Sequence, residues 1–326
     1  MLRTNLLRIT IFGALTVGAC AQVRGPVMGY FADTGALRTL YGIPAAGWVS
    51  DAVAPDRPLS SVEISPDQSR ALAVAADTGA LMLLTPATGV TVHVIGAASG
   101  ADRIVFSPSG TAAALWFSAS GRMQVVSGLA ASPTVRDIDA SFLGGDPAGL
   151  ALSDDGQWVV GAWSSSIYAF GPAGSASALP VAGPAEALCF FHGRADVAVI
   201  TATQVVIVTD IGGAVVPNVI YNKPNDSADT GPVEVAVGFA VSFDNRYLSV
   251  AGNLGWLATF DLTAGTSVGA NCNCSPSGLA GMGGSLFRLT GMHDGALKVF
   301  DASTNDVWFV PLAAPVTASA TVGGQQ

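Results

Sequence analysis

Apolar residues along this chain come in short runs, broken every few residues by Gly, Pro, Ser, Asn or Asp. The runs are rich in β-branched residues, as in Thr203-Gln204-Val205-Val206-Ile207-Val208. That pattern predicts many short strands joined by tight turns. After residue 22 no stretch places apolar residues at helical spacing. The breaks themselves repeat: Ala32-Asp33-Thr34-Gly35-Ala36-Leu37 recurs 44 residues later as Ala76-Asp77-Thr78-Gly79-Ala80-Leu81.

A second register extends the echo over the whole chain. The segment 35–40 aligns with 79–84, 121–126, 165–170, 203–208, 255–260 and 295–300. The steps between their last residues are 44, 42, 44, 38, 52 and 40, so six steps cover residues 40 to 300 at a mean of 43.3. A period of this size, filled with strands, predicts the blades of a β-propeller. Polar turns follow many copies, as in Thr85-Pro86-Ala87-Thr88-Gly89 and Asp261-Leu262-Thr263-Ala264-Gly265, which suits hairpins from a third to a fourth strand. Seven copies predict an all-β, single seven-bladed β-propeller over residues 22–326. Six blades followed by a loose tail is the alternative.

Upstream of several copies lies another marker, a bend between first and second strands. It reads Ser65-Pro66-Asp67, Ser107-Pro108-Ser109-Gly110, Ser153-Asp154-Asp155-Gly156 and Ser242-Phe243-Asp244-Asn245. Phe106-Ser107-Pro108-Ser109-Gly110 followed by a β-rich run resembles the blade motif of WD-repeat and YVTN-type β-propellers. The resemblance covers nearly all of the chain after the leader. With no Gly-His and no Trp-Asp dipeptide, the chain is more similar to the looser YVTN or quinoprotein-like class than to the WD-repeat proper.

The first copy lacks a strand. Residues preceding Gly35 leave room for a second strand near 27–32 but not for an innermost one. The tail Pro315-Val316-Thr317-Ala318-Ser319-Ala320-Thr321-Val322 alternates and is β-branched, so it is expected to supply that strand as an N-/C-terminal clasp. Closing the ring removes two free sheet edges.

Residues 1–21 read as a secretory signal: Arg3 and Arg8 precede the apolar run 9–17, which is too short to span a bilayer. Val17-Gly18-Ala19-Cys20 resembles a lipoprotein box, with Cys20 acylated. Ala19-Cys20-Ala21 equally fits cleavage before Gln22. The expected location is therefore bacterial and exported: periplasmic, anchored to the outer membrane, or secreted. Losing Arg3 and Arg8 from the 14 basic residues leaves 12 against 23 acidic, a net −11. This balance excludes nucleic acid as a partner, and leaves the membrane only through a lipid on Cys20. Among the cysteines, Cys272 and Cys274 are expected to pair with one another, or one of them with Cys189. No cofactor or metal is expected, since three histidines at 93, 192 and 293 are scattered.

Long connections between blades share one rim with the hairpins between second and third strands, and binding residues concentrate on such loops. Two stand out. One carries Tyr221, Asn222, Lys223, Asn225, Asp226 and Asp229 and explains the 52-residue step. The other carries Asn271 and Asn273 beside the cysteines. His293 and Asp294 fall in a hairpin on the same rim, and His192 in a bend on the opposite one. Asp137, Asp139 and Asp146 are expected on a third connection, where a solvated acidic turn is favoured over a Ca²⁺ site.

Two functions follow. The first is an exported, non-enzymatic scaffold that binds a protein, peptide or glycan. The second rests on the resemblance: YVTN-type propellers are similar to lactonases that gather Glu, His and Arg at the channel mouth, for which Glu186, Glu234, Arg103 and Arg288 are the candidates. No nucleophile elbow, phosphate loop or zinc motif is present in the sequence, so enzymatic activity is the lesser expectation.

Overall fold

In a computed structural model, residues 25–33, 36–43, 46–164, 166–222, 235–289 and 296–311 are described. They form 27 strands, one short 3-10 turn at Ser141–Leu143, and no α-helix among the described residues. The leader with Cys20 and the proposed clasp at 315–322 lie outside the described residues.

The strands make seven antiparallel sheets arranged as a ring of blades. Blade one holds β1 (Val27–Asp33), β2 (Ala36–Ile43) and β3 (Ala46–Val49). Blade two holds β4 (Leu59–Ile64), β5 (Ala71–Ala75), β6 (Leu81–Thr85) and β7 (Val90–His93). Blade three follows with β8 (Arg103–Phe106), β9 (Ala112–Phe117), β10 (Arg122–Ser127) and β11 (Thr134–Asp139). In blade four are β12 (Gly149–Leu152), β13 (Val159–Trp163), β14 (Ser166–Phe170) and β15 (Ala176–Ala178). Blade five comprises β16 (Ala185–Phe190), β17 (Val197–Thr201), β18 (Gln204–Thr209) and β19 (Val216–Asn222). Blade six comprises β20 (Ala236–Val241), β21 (Tyr247–Gly252), β22 (Trp256–Asp261) and β23 (Thr266–Asn271). The last blade has β24 (Ala280–Gly281), β25 (Leu286–Arg288), β26 (Leu297–Asp301) and β27 (Asp306–Val310).

Why the ring holds is visible in its cores. Second and third strands are apolar on both faces, and β5, β9, β13 and β17 are buried at every position. Each sheet therefore buries one face against the preceding blade and one against the next. Trp116 and Phe170 meet Trp163 at 6.0 and 5.9 Å between blades three and four. Phe31 and Leu40 of blade one pack with Met282, Leu297 and Val310 of blade seven, which closes the circle. The thinnest core is that between blades one and two, centred on Leu37, Ala71 and Leu84.

The Ser-x-Asp bends are built alike. Ser153 Oγ donates to Asp155 Oδ1 at 2.6 Å and accepts from the Trp158 N–H at 2.9 Å. Ser242 repeats this with Asp244 and the Tyr247 N–H at the same two distances. These bends define the lower rim and tie blade to blade. Arg70 donates to the Gly110 carbonyl. Asp154 accepts from the Ser109 N–H on one side, at 2.6 Å, and the Gly193 N–H on the other, at 2.7 Å. Asn245 accepts from the His192 N–H and donates to its carbonyl, and the Phe243 N–H donates to Gly284.

Blade one is the exception to the four-strand rule. The repeat aligns β1 and β2 with β5 and β6, so β1 is a second strand, and no innermost strand pairs with it among the described residues. Gln68, from the lower-rim bend of blade two, occupies the edge. Its Oε1 accepts from the Tyr30 N–H, and its Nε2 donates to the Gly281 carbonyl at 2.9 Å. One side chain thus joins blades one, two and seven.

Candidate functional site

First strands of blades two to seven line an axial channel of about 520 Å³. Register places Glu63, Val105, Ala151, Cys189, Ala240 and Ala280 at one level, opposite Leu72, Ala114, Val160, Ala198, Ser249 and Arg288 of the second strands. In blade one, Tyr30 holds the level of Leu72, since their third-strand partners Thr39 and Leu83 align. Glu63 is the single carboxylate of its set and Arg288 the single cation of the other.

Glu63 also borders a second cavity of about 160 Å³, where an innermost strand of blade one would lie, lined by Tyr30, Gln68, Met282 and Arg288. Arg103, two residues before Val105 in β8, faces the channel above Glu63. The Glu63 carboxylate touches channel solvent and is nonetheless ringed by protein. This desolvation pushes its pKa up, and the guanidiniums of Arg288 and Arg103 pull it back. Both arginines are pushed down by desolvation and held up by Glu63. Arg103 donates to the carbonyls of Pro147 and Ala148 at 3.3 and 3.4 Å, and Arg288 stands 5.9 Å from the Phe31 ring centre. No hydrogen bond joins Glu63, Arg103 and Arg288 to one another among the described residues. The remaining wall is mostly apolar, with Leu150, Leu188, Phe239 and Phe287, and includes Ser61, Asp102 and His192.

Of the sequence candidates, Arg103 and Arg288 meet around Glu63, which sequence reasoning missed. Glu186 stands apart, accepting from the Ala236 N–H at 3.1 Å across blades five and six. Tyr221 packs on Phe260 with ring centres 5.4 Å apart, and Asn222 accepts from Gln204. Asn271 accepts from the N–H of Asn273, within the loop that Lys298 fastens through the carbonyls of Cys272 and Asn273. No hydrogen bond links this loop to Tyr221 or Asn222 among the described residues. Lys223, Asn225, Asp226, Asp229, Glu234, His293 and Asp294 lie outside the described residues. Cys272 and Cys274 are joined by a disulfide, and Cys189 is free in the channel wall.

The acidic trio is corrected at two positions, Asp146 alone lying on the connection between β11 and β12. Asp137 and Asp139 belong to the outer strand β11, because 134–139 pairs along its full length with β10. Asp137 accepts from Gln124, Asp139 from Ser141, and Asp146 from the Trp116 indole at 2.8 Å. Among the described residues no group of three His, Cys, Asp or Glu side chains is placed to hold a metal. His192 lies tilted against Phe243 with ring centres 4.8 Å apart, and its Nδ1 is buried without a hydrogen-bond partner among the described residues. Burial pushes its pKa down, against the pull of Asp154, the Val241 carbonyl and Asp244.

No family model and no curated protein matches the chain. Among solved structures it is similar to the crystal structure of the Myceliophteria thermophila Cps50 (Swd1) beta-propeller domain, at 12% identity and a TM-score of 0.45. That match covers 62% of this chain and 65% of the other, under two thirds of its length.

Proposed function

We propose that this chain is an exported, non-enzymatic propeller that holds a protein, peptide or glycan against its upper rim. The observation that carries the reading is apolar exposure on that rim. Ile95 is 83% exposed, Phe142 66%, Leu254 48% and Val235 45%. All four sit on connections between blades or on a second-to-third hairpin, and so by topology on one side of the ring. Other exposed apolar residues lie singly along outer strands, as Val92, Val268 and Phe309 do, or at lower-rim turns, as Ile43 (60%) and Phe243 (57%) do, which is ordinary for a protein surface. Apolar residues repeated on the loops of one rim suit an interaction face. Export rests on the leader 1–21 and the anchor on Cys20.

Affinity capture from the envelope of the producing bacterium tests it, comparing the native chain with Ile95→Asp/Phe142→Asp/Leu254→Asp and with the outer-strand control Val92→Asp/Val268→Asp. The captured ligand is lost from the rim variant and kept by the control. Equal capture by both variants overturns the rim.

The placement of Arg103 and Arg288 about Glu63 favours a second reading, lactonase-like hydrolysis in the channel. Turnover of a lactone panel that Glu63→Gln abolishes would establish it in place of the first.

A further inference from the structure

The level containing Glu63 is where the channel wall departs from its own repeat. Five of six first-strand positions there carry small or apolar side chains, and five of six second-strand positions carry none with charge. The departures fall together: Glu63, Arg288 and, just above, Arg103. Two guanidiniums against one carboxylate leave one positive charge in excess. Asp102, also in the wall, is turned away, its Oδ2 accepting from the N–H and hydroxyl of Ser118 at 2.8 and 2.6 Å.

The cations are under-used. Arg288 donates no hydrogen bond to the described residues, although its fork offers five N–H groups, and Arg103 spends one nitrogen on two long contacts. A guanidinium held among protein atoms gains most from a planar anion that takes two of its donors at once. Arg103 borders the channel of about 520 Å³, which is of ligand size, Arg288 borders the adjoining cavity of about 160 Å³, and Glu63 borders both.

From these placements we infer that the channel binds a small amphipathic acid where it opens into the blade-one cavity, its carboxylate received by Arg103 on the channel side of Glu63 and Arg288 on the cavity side, and its apolar body lying along Val105, Phe106 and Leu279. Glu63 stands between the arginines as a resident competitor: it offsets one of their two charges in the empty site, and when protonated it donates its O–H to the ligand. The site is separate from the rim contacts, so either holds if the other fails.

Calorimetry on the full chain tests the inference with three probes of one shape: 4-phenylbutyrate, 4-phenylbutan-1-ol and 4-phenylbutylamine. The acid is expected to bind about tenfold or more tighter than the alcohol, the size of gain a charge-assisted hydrogen bond gives. Arg288→Gln and Arg103→Gln each reduce the acid toward the alcohol, while Glu63→Gln tightens it. Equal affinities, an amine that binds best, or no binding of any probe overturns the inference. So does acid binding unchanged in Arg288→Gln. If a variant fails to fold, the probe comparison on the native chain still decides.

Discussion

The backbone N–H of Tyr30 donates to Oε1 of Gln68, 38 residues away, at 2.6 Å. At the same level of blade two, β4 pairs its backbone with that of β5. In blade one a side chain stands in that place. Gln68 adopts φ +63°, a left-handed conformation that only glycine takes without cost.

Gln68→Ala removes both bridges and keeps the backbone cost, so it is expected to destabilise by about 1–2 kcal/mol, the loss of two part-buried hydrogen bonds. Gln68→Gly loses the same bonds but relieves the φ, and the expected loss is smaller by about 1 kcal/mol. Chemical denaturation of the three proteins checks the order. A loss for Gly equal to that for Ala would refute the account.

Deletion of residues 313–326 tests the clasp. If the tail completes blade one, its loss lowers the melting temperature and exposes the edge of β1 to association. An unchanged melting temperature in a monomeric truncated chain would show Gln68 to be the whole closure.

Asp154 is a single acceptor serving blades three and five from blade four. Asp154→Ala orphans the N–H groups of Ser109 and Gly193 at once and is expected to cost about 1–3 kcal/mol. Asp154→Asn keeps one acceptor oxygen and should fall between. Equal stability of all three proteins would mean that water replaces the carboxylate.

His192 gives a pH dependence of definite sign. Its folded pKa lies below the unfolded value, so the unfolded chain takes up the proton first. Its share of stability is full above roughly pH 6.5 and declines as pH falls through that value toward the folded pKa. His192→Phe keeps an aromatic stack on Phe243 and removes the titration. Melting curves from about pH 7.5 to 5.5 are expected to fall more steeply for the native chain than for the variant. Parallel curves would exclude His192 as the cause.

The blades were legible because their signal is local. All seven third-strand segments read from the repeat coincide with β2, β6, β10, β14, β18, β22 and β26. Ser153 and Ser242 announced bends because a hydroxyl, a carboxylate and a backbone N–H meet within five residues. Glu63 escaped notice because Leu59–Ile64 alternates like any half-exposed strand, and its neighbours at 103 and 288 are brought to it only by closing the ring. A usable trace existed. With the repeats superposed, Glu63 and Arg288 are the charges at levels where other blades carry small or apolar residues. Gln68 left no such trace: the open edge of blade one could be read from the residues before Gly35, but nothing around Gln68 shows that a bend of blade two reaches it.

A ring of near-identical blades offers whatever enters its channel as many equivalent azimuths as it has blades. A ligand in such a pore can settle at any of them, and no one face of it is distinguished. Glu63 and Arg288 lift that rotational degeneracy. They give the channel a single compass bearing, beside blade one, and an occupant held there has one orientation about the axis.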